Sequence, residues 1–175
     1  MKTGPLFPYR GVHPRIDASA FVAPTASVVG DVHVGAGSSV WYGAVIRGDV
    51  MPIRIGSQTS IQDNTVIHAT GGWQETVVGD RVTVGHTVIL HGCTVGNDVL
   101  VGMGTIVLDA AEIGDWVMLG AGSLVTARTK IPSGVLAMGR PAKPVRDLTD
   151  DERARIAEAA AVYVRYGAEH AEGTR

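Results

Sequence analysis

An aliphatic residue returns every sixth position through most of this chain, and few folds accommodate that period. Ile16, Val22, Val28, Val34, Val40 and Ile46 fall six apart without a slip. The series restarts as Ile55, Ile61 and Ile67, again as Val78, Val84 and Leu90, and then runs from Val95 through Val101, Val107, Ile113 and Leu119 to Val125. A six-residue step advances about 600° around an α-helix and would scatter these side chains over every face. In a parallel β-helix the same step is one short strand and a turn, and three steps close a triangular coil. The eighteen units therefore predict about six triangular coils over residues 16–130. At a strand spacing of roughly 4.8 Å the prism would be about 29 Å tall.

Composition suits tightly wound β structure: 45% of residues are hydrophobic, only 5% are aromatic, and 23 are glycine. A length of 175 residues predicts a single domain. The formal net charge of -2, with no basic run, gives no electrostatic case for a nucleic-acid partner. No apolar stretch approaches membrane-spanning length, and Met1–Pro5 has no apolar core of signal-peptide size. A cytoplasmic protein with no membrane partner is expected. Cys93, the single cysteine, cannot form an internal disulfide and reads as a small packed residue in a reducing compartment.

Placing each unit on one of three faces, a, b and c in order, separates scaffold from chemistry. The residue after the buried aliphatic is Asp17, Gly35, Gly56, Gly79, Gly96 and Gly114 on face a, small and bland. On face c the same column reads Val29, Arg47, His68, His91, Leu108 and Thr126. One position further along, face b reads Pro24, Tyr42, Asp63, His86, Met103 and Ala121. His68 and His91 thus stand one coil apart, about 5 Å, close enough to share an ion. His86 lies around a corner of the same prism. Three imidazoles are the usual count for an open zinc site. If face c of one subunit packs on face b of the next, the third imidazole arrives from the neighbour, and a head-to-tail contact that closes makes a ring. A triangular prism suggests a homotrimer.

Every departure from the six-residue step follows a face c unit: three extra residues after Ile46, five after Ile67, one fewer after Leu90. Irregular loops on a rigid scaffold are where function concentrates. The loop from Ala69 to Val77 is placed to cover the site, with Trp73 either a lid or a packing cap. The first fifteen residues, with Pro5, Pro8 and Pro14, predict an extended arm carrying a surface His13. Residues 131–148 read as an irregular link. Thr149 and Glu152 form a capping box opening a helix over 149–167, stopped by Gly167, with Ile156, Ala160, Tyr163 and Gly167 on its buried face. The tail beyond is expected to fray and leave His170 solvated.

Three segments together resemble the γ-class carbonic anhydrase family: Trp41-Tyr42-Gly43-Ala44-Val45-Ile46-Arg47-Gly48-Asp49; Ile61-Gln62-Asp63 leading to His68; and Gly85-His86 followed by Leu90-His91-Gly92-Cys93. The resemblance spans Tyr9 to about Tyr166. It implies an all-β, left-handed parallel β-helix with a C-terminal helix, although parallel crossovers in general favour the right hand. It also implies a homotrimer with metal bound by His68 and His91 of one subunit and His86 of the next. Gln62 matches the family residue that orients the attacking hydroxide or the bicarbonate. Arg47 and Asp63 match an intersubunit pair at the mouth of the site, Asp49 its support, and Tyr163, with Tyr166 the alternative, a tyrosine nearby. Arg47, Asp49 and Asp63 have a second reading as residues that only hold the trimer together.

Two departures bear on rate. Val50 follows Asp49 where the archetypal member has a glutamate, and the acidic loop that supplies a proton-shuttling glutamate is shortened, leaving Glu75 as a loose counterpart. The activity implied is reversible hydration of carbon dioxide to bicarbonate, slowed at proton transfer. Zn2+ is the expected metal, with Fe2+ or Co2+ equally suited to three imidazoles. The same fold also supports a hexapeptide acyltransferase or acyl-CoA thioesterase, or a non-catalytic trimeric assembly subunit.

Overall fold

A computed structural model describes residues 4–173. The first three residues of the expected arm and the last two of the tail lie outside it. The chain winds as a left-handed β-helix of stacked parallel coils, closed along one side by a C-terminal helix, α1, Asp150–Gly173. The strands are short, mostly two or three residues, because each face is only one strand wide before the chain turns.

The register reproduces the six-residue period residue by residue. Ile16, Val34, Ile55, Val78, Val95, Ile113 and Ile131 pair in one column. Val22, Val40, Ile61, Val84, Val101, Leu119 and Ala137 form the second, and Val28, Ile46, Ile67, Leu90, Val107 and Val125 the third. All but Ile16 are buried, and together they line the prism's interior. Burying each such side chain contributes about 1.5–3 kcal/mol, so the stacked aliphatic columns are the main favourable term holding the coils together.

Residues 131–148 are not an irregular link. Val125, Ile131 and Ala137 continue the period, so Lys130–Ile131 and Val135–Gly139 add two sides of a further coil. Ala142–Asp147 then folds back antiparallel on Val135–Gly139 and caps the end. The small Ala137, fully buried, conceals the period when only large aliphatics are followed. The N-terminal arm is not extended throughout: Leu6–Phe7 pairs beneath Val28–Val29, and the chain then reverses in a tight turn at Arg10 and Gly11, closed by a bridge between Tyr9 and Val12.

Helix α1 begins with the expected box: the Glu152 N–H donates to Thr149 Oγ1 at 3.2 Å, and the Thr149 N–H to Glu152 Oε2 at 2.9 Å. Arg146 grips the same carboxylate at 2.7 and 2.8 Å. The helix passes through Gly167 and ends at Gly173, not at 167. Gly167 is buried because α1 crosses the prism there: a Cβ would lie 3.3 Å from Ser39 Cβ and 3.6 Å from Phe21 Cβ. A missing side chain that permits close approach looks, in sequence, the same as one that ends a helix. His170 is exposed, as expected, but it stands on the helix rather than in a frayed tail. Its ring lies 4.9 Å from that of Trp41, and its Nδ1 is 3.2 Å from the Tyr42 hydroxyl. Trp41 anchors this contact, donating from Nε1 to both Ser39 Oγ and Ser60 Oγ at 2.9 Å.

Candidate metal centre

Faces b and c each carry part of the candidate site. On face c, His68 and His91 are paired partners on adjacent coils. His68 Nδ1 and His91 Nε2 face each other at 3.3 Å. The far nitrogen of each ring meets a carboxylate: His68 Nε2 lies 3.0 Å from Asp49 Oδ1, and His91 Nδ1 lies 3.0 Å from Asp109 Oδ2. Asp49 also accepts from Arg47. Burial raises the Asp49 carboxyl, but hydrogen bonds from Arg47 and His68 outweigh it and leave the group below the usual carboxylate range. For Asp109 burial likewise raises, and Thr70 and His91 prevail, again holding the group low.

Two ionised carboxylates can only accept, so the ring nitrogens touching them must be the N–H donors. With both rings neutral, the two nitrogens facing each other then present bare lone pairs, which repel unless a cation stands between them. Zinc bonds to imidazole nitrogen are about 2.0–2.1 Å, so two tetrahedral ligands stand about 3.3–3.4 Å apart. The 3.3 Å separation fits a metal ion, and the tautomers that the two carboxylates favour would turn a bare nitrogen of each ring toward it. Carboxylates behind ligating histidines are the usual means of fixing tautomer and ring orientation.

His86 is on face b, with Nδ1 2.9 Å from Asp63 Oδ2 and a side chain 45% exposed. Among the described residues of one chain, no group of three His, Cys, Asp or Glu side chains is disposed to hold a metal. Gln62, buried, and Tyr163 from α1 share with His86 a groove of about 460 Å³ whose walls include Thr83, Leu100, Met103 and Met118. Burial raises the Tyr163 hydroxyl, and the nearby Asp63 charge adds to it, against a hydrogen bond with Gln62. The structure thus brings Arg47, Asp49, His68 and His91 together on face c, and Gln62, Asp63, His86 and Tyr163 together on face b. Within one chain Arg47 pairs with Asp49, and Asp63 with His86; Arg47 and Asp63 belong to different halves.

The irregular corner is anchored beside the His68–His91 pair, but its large side chains turn elsewhere. Thr76 Oγ1 ties the loop to the His68 carbonyl at 2.6 Å. Trp73, however, packs under the Arg128 guanidinium, 5.3 Å from its ring centre. Glu75 lies within electrostatic reach of Arg54, whose guanidinium is held by Asp31. Val50, 46% exposed, lies beside Gly71 of the loop, where an added Cβ would stand 3.3 Å from Val50 Cβ. Asp109 is the residue of this cluster that sequence reasoning misses. Its column on face c reads Gly30, Gly48, Ala69, Gly92, Asp109, Ala127, and a lone charge among glycines and alanines is the available signal.

A parallel β-helix of six-residue units with imidazoles on its outer faces defines a hexapeptide-repeat protein. Residues 92–127 match the family model "Bacterial transferase hexapeptide (six repeats)". A crystal structure of a hexapeptide transferase family protein from Anaplasma phagocytophilum superposes with a TM-score of 0.90 at 46% identity, covering 95% of this chain and 98% of that one. The carbonic anhydrase of Geobacillus kaustophilus is 47% identical over 93% of this chain and 88% of its own length. Gamma carbonic anhydrase 1, mitochondrial, of Arabidopsis thaliana is 47% identical over 90% of this chain, which spans 59% of that relative's length. The chain belongs to the γ-class carbonic anhydrase family.

Proposed function

We propose that this protein is a homotrimeric, zinc-dependent carbonic anhydrase of the cytoplasm that interconverts carbon dioxide and bicarbonate. The observation that carries the reading is the His68–His91 pair: two ring nitrogens facing at 3.3 Å, each ring backed by a carboxylate, with no third ligand among the described residues of the same chain. His86 of a neighbouring subunit supplies the third imidazole, since face b presents it exposed beside Asp63. When bound, the metal supplies a water with its pKa lowered to about 7 and a Lewis-acid centre. Fe2+ and Co2+ suit the same donors.

The chain's own residues then orient and exclude. Gln62, buried and tied to Tyr163, presents an amide beside His86, placed to hold the attacking oxygen or the bicarbonate by hydrogen bonds. Asp49 locks His68 and holds Arg47 at the rim, where the guanidinium can draw in and release the anionic product. Asp63 holds His86 and, with the halves joined, meets Arg47 across the subunit boundary. The apolar groove walls favour carbon dioxide over water.

The test is complementation. Chains bearing His86→Ala are mixed with chains bearing both His68→Ala and His91→Ala after reversible dissociation. Neither parent has an intact site. Every ring with both kinds of chain has one junction carrying all three imidazoles, so metal binding should return at no more than one site per mixed trimer. Verified mixed trimers that bind no metal, while wild-type trimers do, refute the shared site. Acyl transfer or thioester hydrolysis that persists after complete chelation, without metal-dependent hydration of carbon dioxide, refutes the anhydrase reading.

A further inference from the structure

We infer that Asp109 is a positioning residue for His91, selecting which of its ring nitrogens faces the metal; this rests on the metal site proposed above. The carboxylate reaches His91 from the following coil, and four features show that the fold is arranged to admit it. Its Oδ2 lies 3.0 Å from His91 Nδ1, so an ionised carboxylate holds the proton on Nδ1 and leaves Nε2 bare toward His68. Gly92, immediately after His91, has a φ of +56° that itself favours glycine, and a Cβ built there would lie 2.5 Å from Asp109 Oδ1, so a larger residue would also crowd the carboxylate. The backbone registers the contact as well, through the Ala110 N–H donating to the Gly92 carbonyl at 2.6 Å. The Asp109 side chain is only 16% exposed, so little water competes for the imidazole.

Asp109 therefore does for His91 what Asp49 does for His68, without a cation of its own like Arg47. The bland alternative is that Asp109 merely ties down the 69–77 loop through Thr70, whose side chain also interacts with its carboxylate. The two roles separate experimentally. In metal-free wild-type protein, the ring 15N shifts of His91 should show Nδ1 protonated and Nε2 bare. Asp109→Ala should move the ring toward the Nε2–H tautomer and weaken zinc binding, measured by chelator competition, about 10- to 100-fold. Asp109→Asn, nearly isosteric, keeps an acceptor without the charge and should lose about tenfold; it carries the test if the alanine variant does not fold. Thr70→Val should leave tautomer and affinity within about threefold of wild type, well below the loss expected of a group that orients a ligand.

An unchanged His91 tautomer in the Asp109→Ala protein, zinc affinity close to wild type in both Asp109 variants, or the same loss from Thr70→Val overturns the inference. Zinc binding that depends on His91 but not on Asp109 overturns it alone. Equal zinc binding by wild type and His91→Ala overturns it together with the metal site.

Discussion

Gly79→Ala tests whether the glycine column on face a exists for spacing rather than for backbone conformation. Gly35, Gly56, Gly79, Gly96 and Gly114 stack coil upon coil, and none adopts a positive φ. A Cβ on Gly79 would stand 2.6 Å from Gly96 O, 2.8 Å from Gly96 C and 2.7 Å from Asn97 Oδ1, where ordinary contact begins at 3.4 Å. Relief requires the coils to part locally by about 0.8 Å. That motion stretches the 2.8 Å bond from the Gly79 N–H to Val95 O and the 2.8 Å bond from the Asp80 N–H to Asn97 Oδ1. Overpacking costs about 1–3 kcal/mol and a weakened buried hydrogen bond about 1 kcal/mol. Reduced freedom of the unfolded chain returns about 0.4–1 kcal/mol. The expected net loss is about 1–4 kcal/mol. Urea unfolding followed by far-UV circular dichroism, at one protein concentration because assembly contributes to stability, measures it. Gly122 is the control: its φ is +70° and nothing lies within 4 Å of where a Cβ would stand, so its requirement is conformational. Asparagine, which tolerates that conformation, should be better than alanine at 122 and worse than alanine at 79. A Gly79→Ala protein as stable as wild type would refute the steric reasoning.

Three further outcomes are expected. Glu152, held by Arg146 and the Thr149 cap, has its carboxyl lowered from 4.5 to about 2, so it contributes stability above pH 4.5 that disappears as pH falls toward 2; Glu152→Gln should flatten that part of the acid unfolding curve. Gly167→Leu should lift the last turns of α1 off Ser39 and Phe21, costing about 1–3 kcal/mol and speeding amide exchange over residues 163–173, and unchanged exchange would contradict the close contact. Carbon dioxide hydration should be slow and rise with buffer concentration, because Val50 offers no proton and Glu75 lies toward Arg54; a fast rate indifferent to buffer would refute this.

Much of this molecule is legible in the sequence because a β-helix is close to one-dimensional: each coil contacts only its neighbours, so the six-residue period maps directly onto columns. Ile67 beneath Leu90, and hence His68 beneath His91, follow by counting. The capping box at Thr149 and Glu152 is equally local, needing only a spacing of three. Counting fails where a small residue carries the period, as Ala137 does, and where a glycine serves contact rather than chain reversal, as Gly167 does. It fails also for partners brought in from other elements. Nothing near Asp109 in sequence points to His91, nothing near His170 points to Trp41, and Trp73 finds Arg128 only because a long corner loop drapes across several coils. Period and local hydrogen bonding are written in residue order; which ring nitrogen bears a proton, and which helix turn touches the prism, depend on groups that meet only when the coils are stacked.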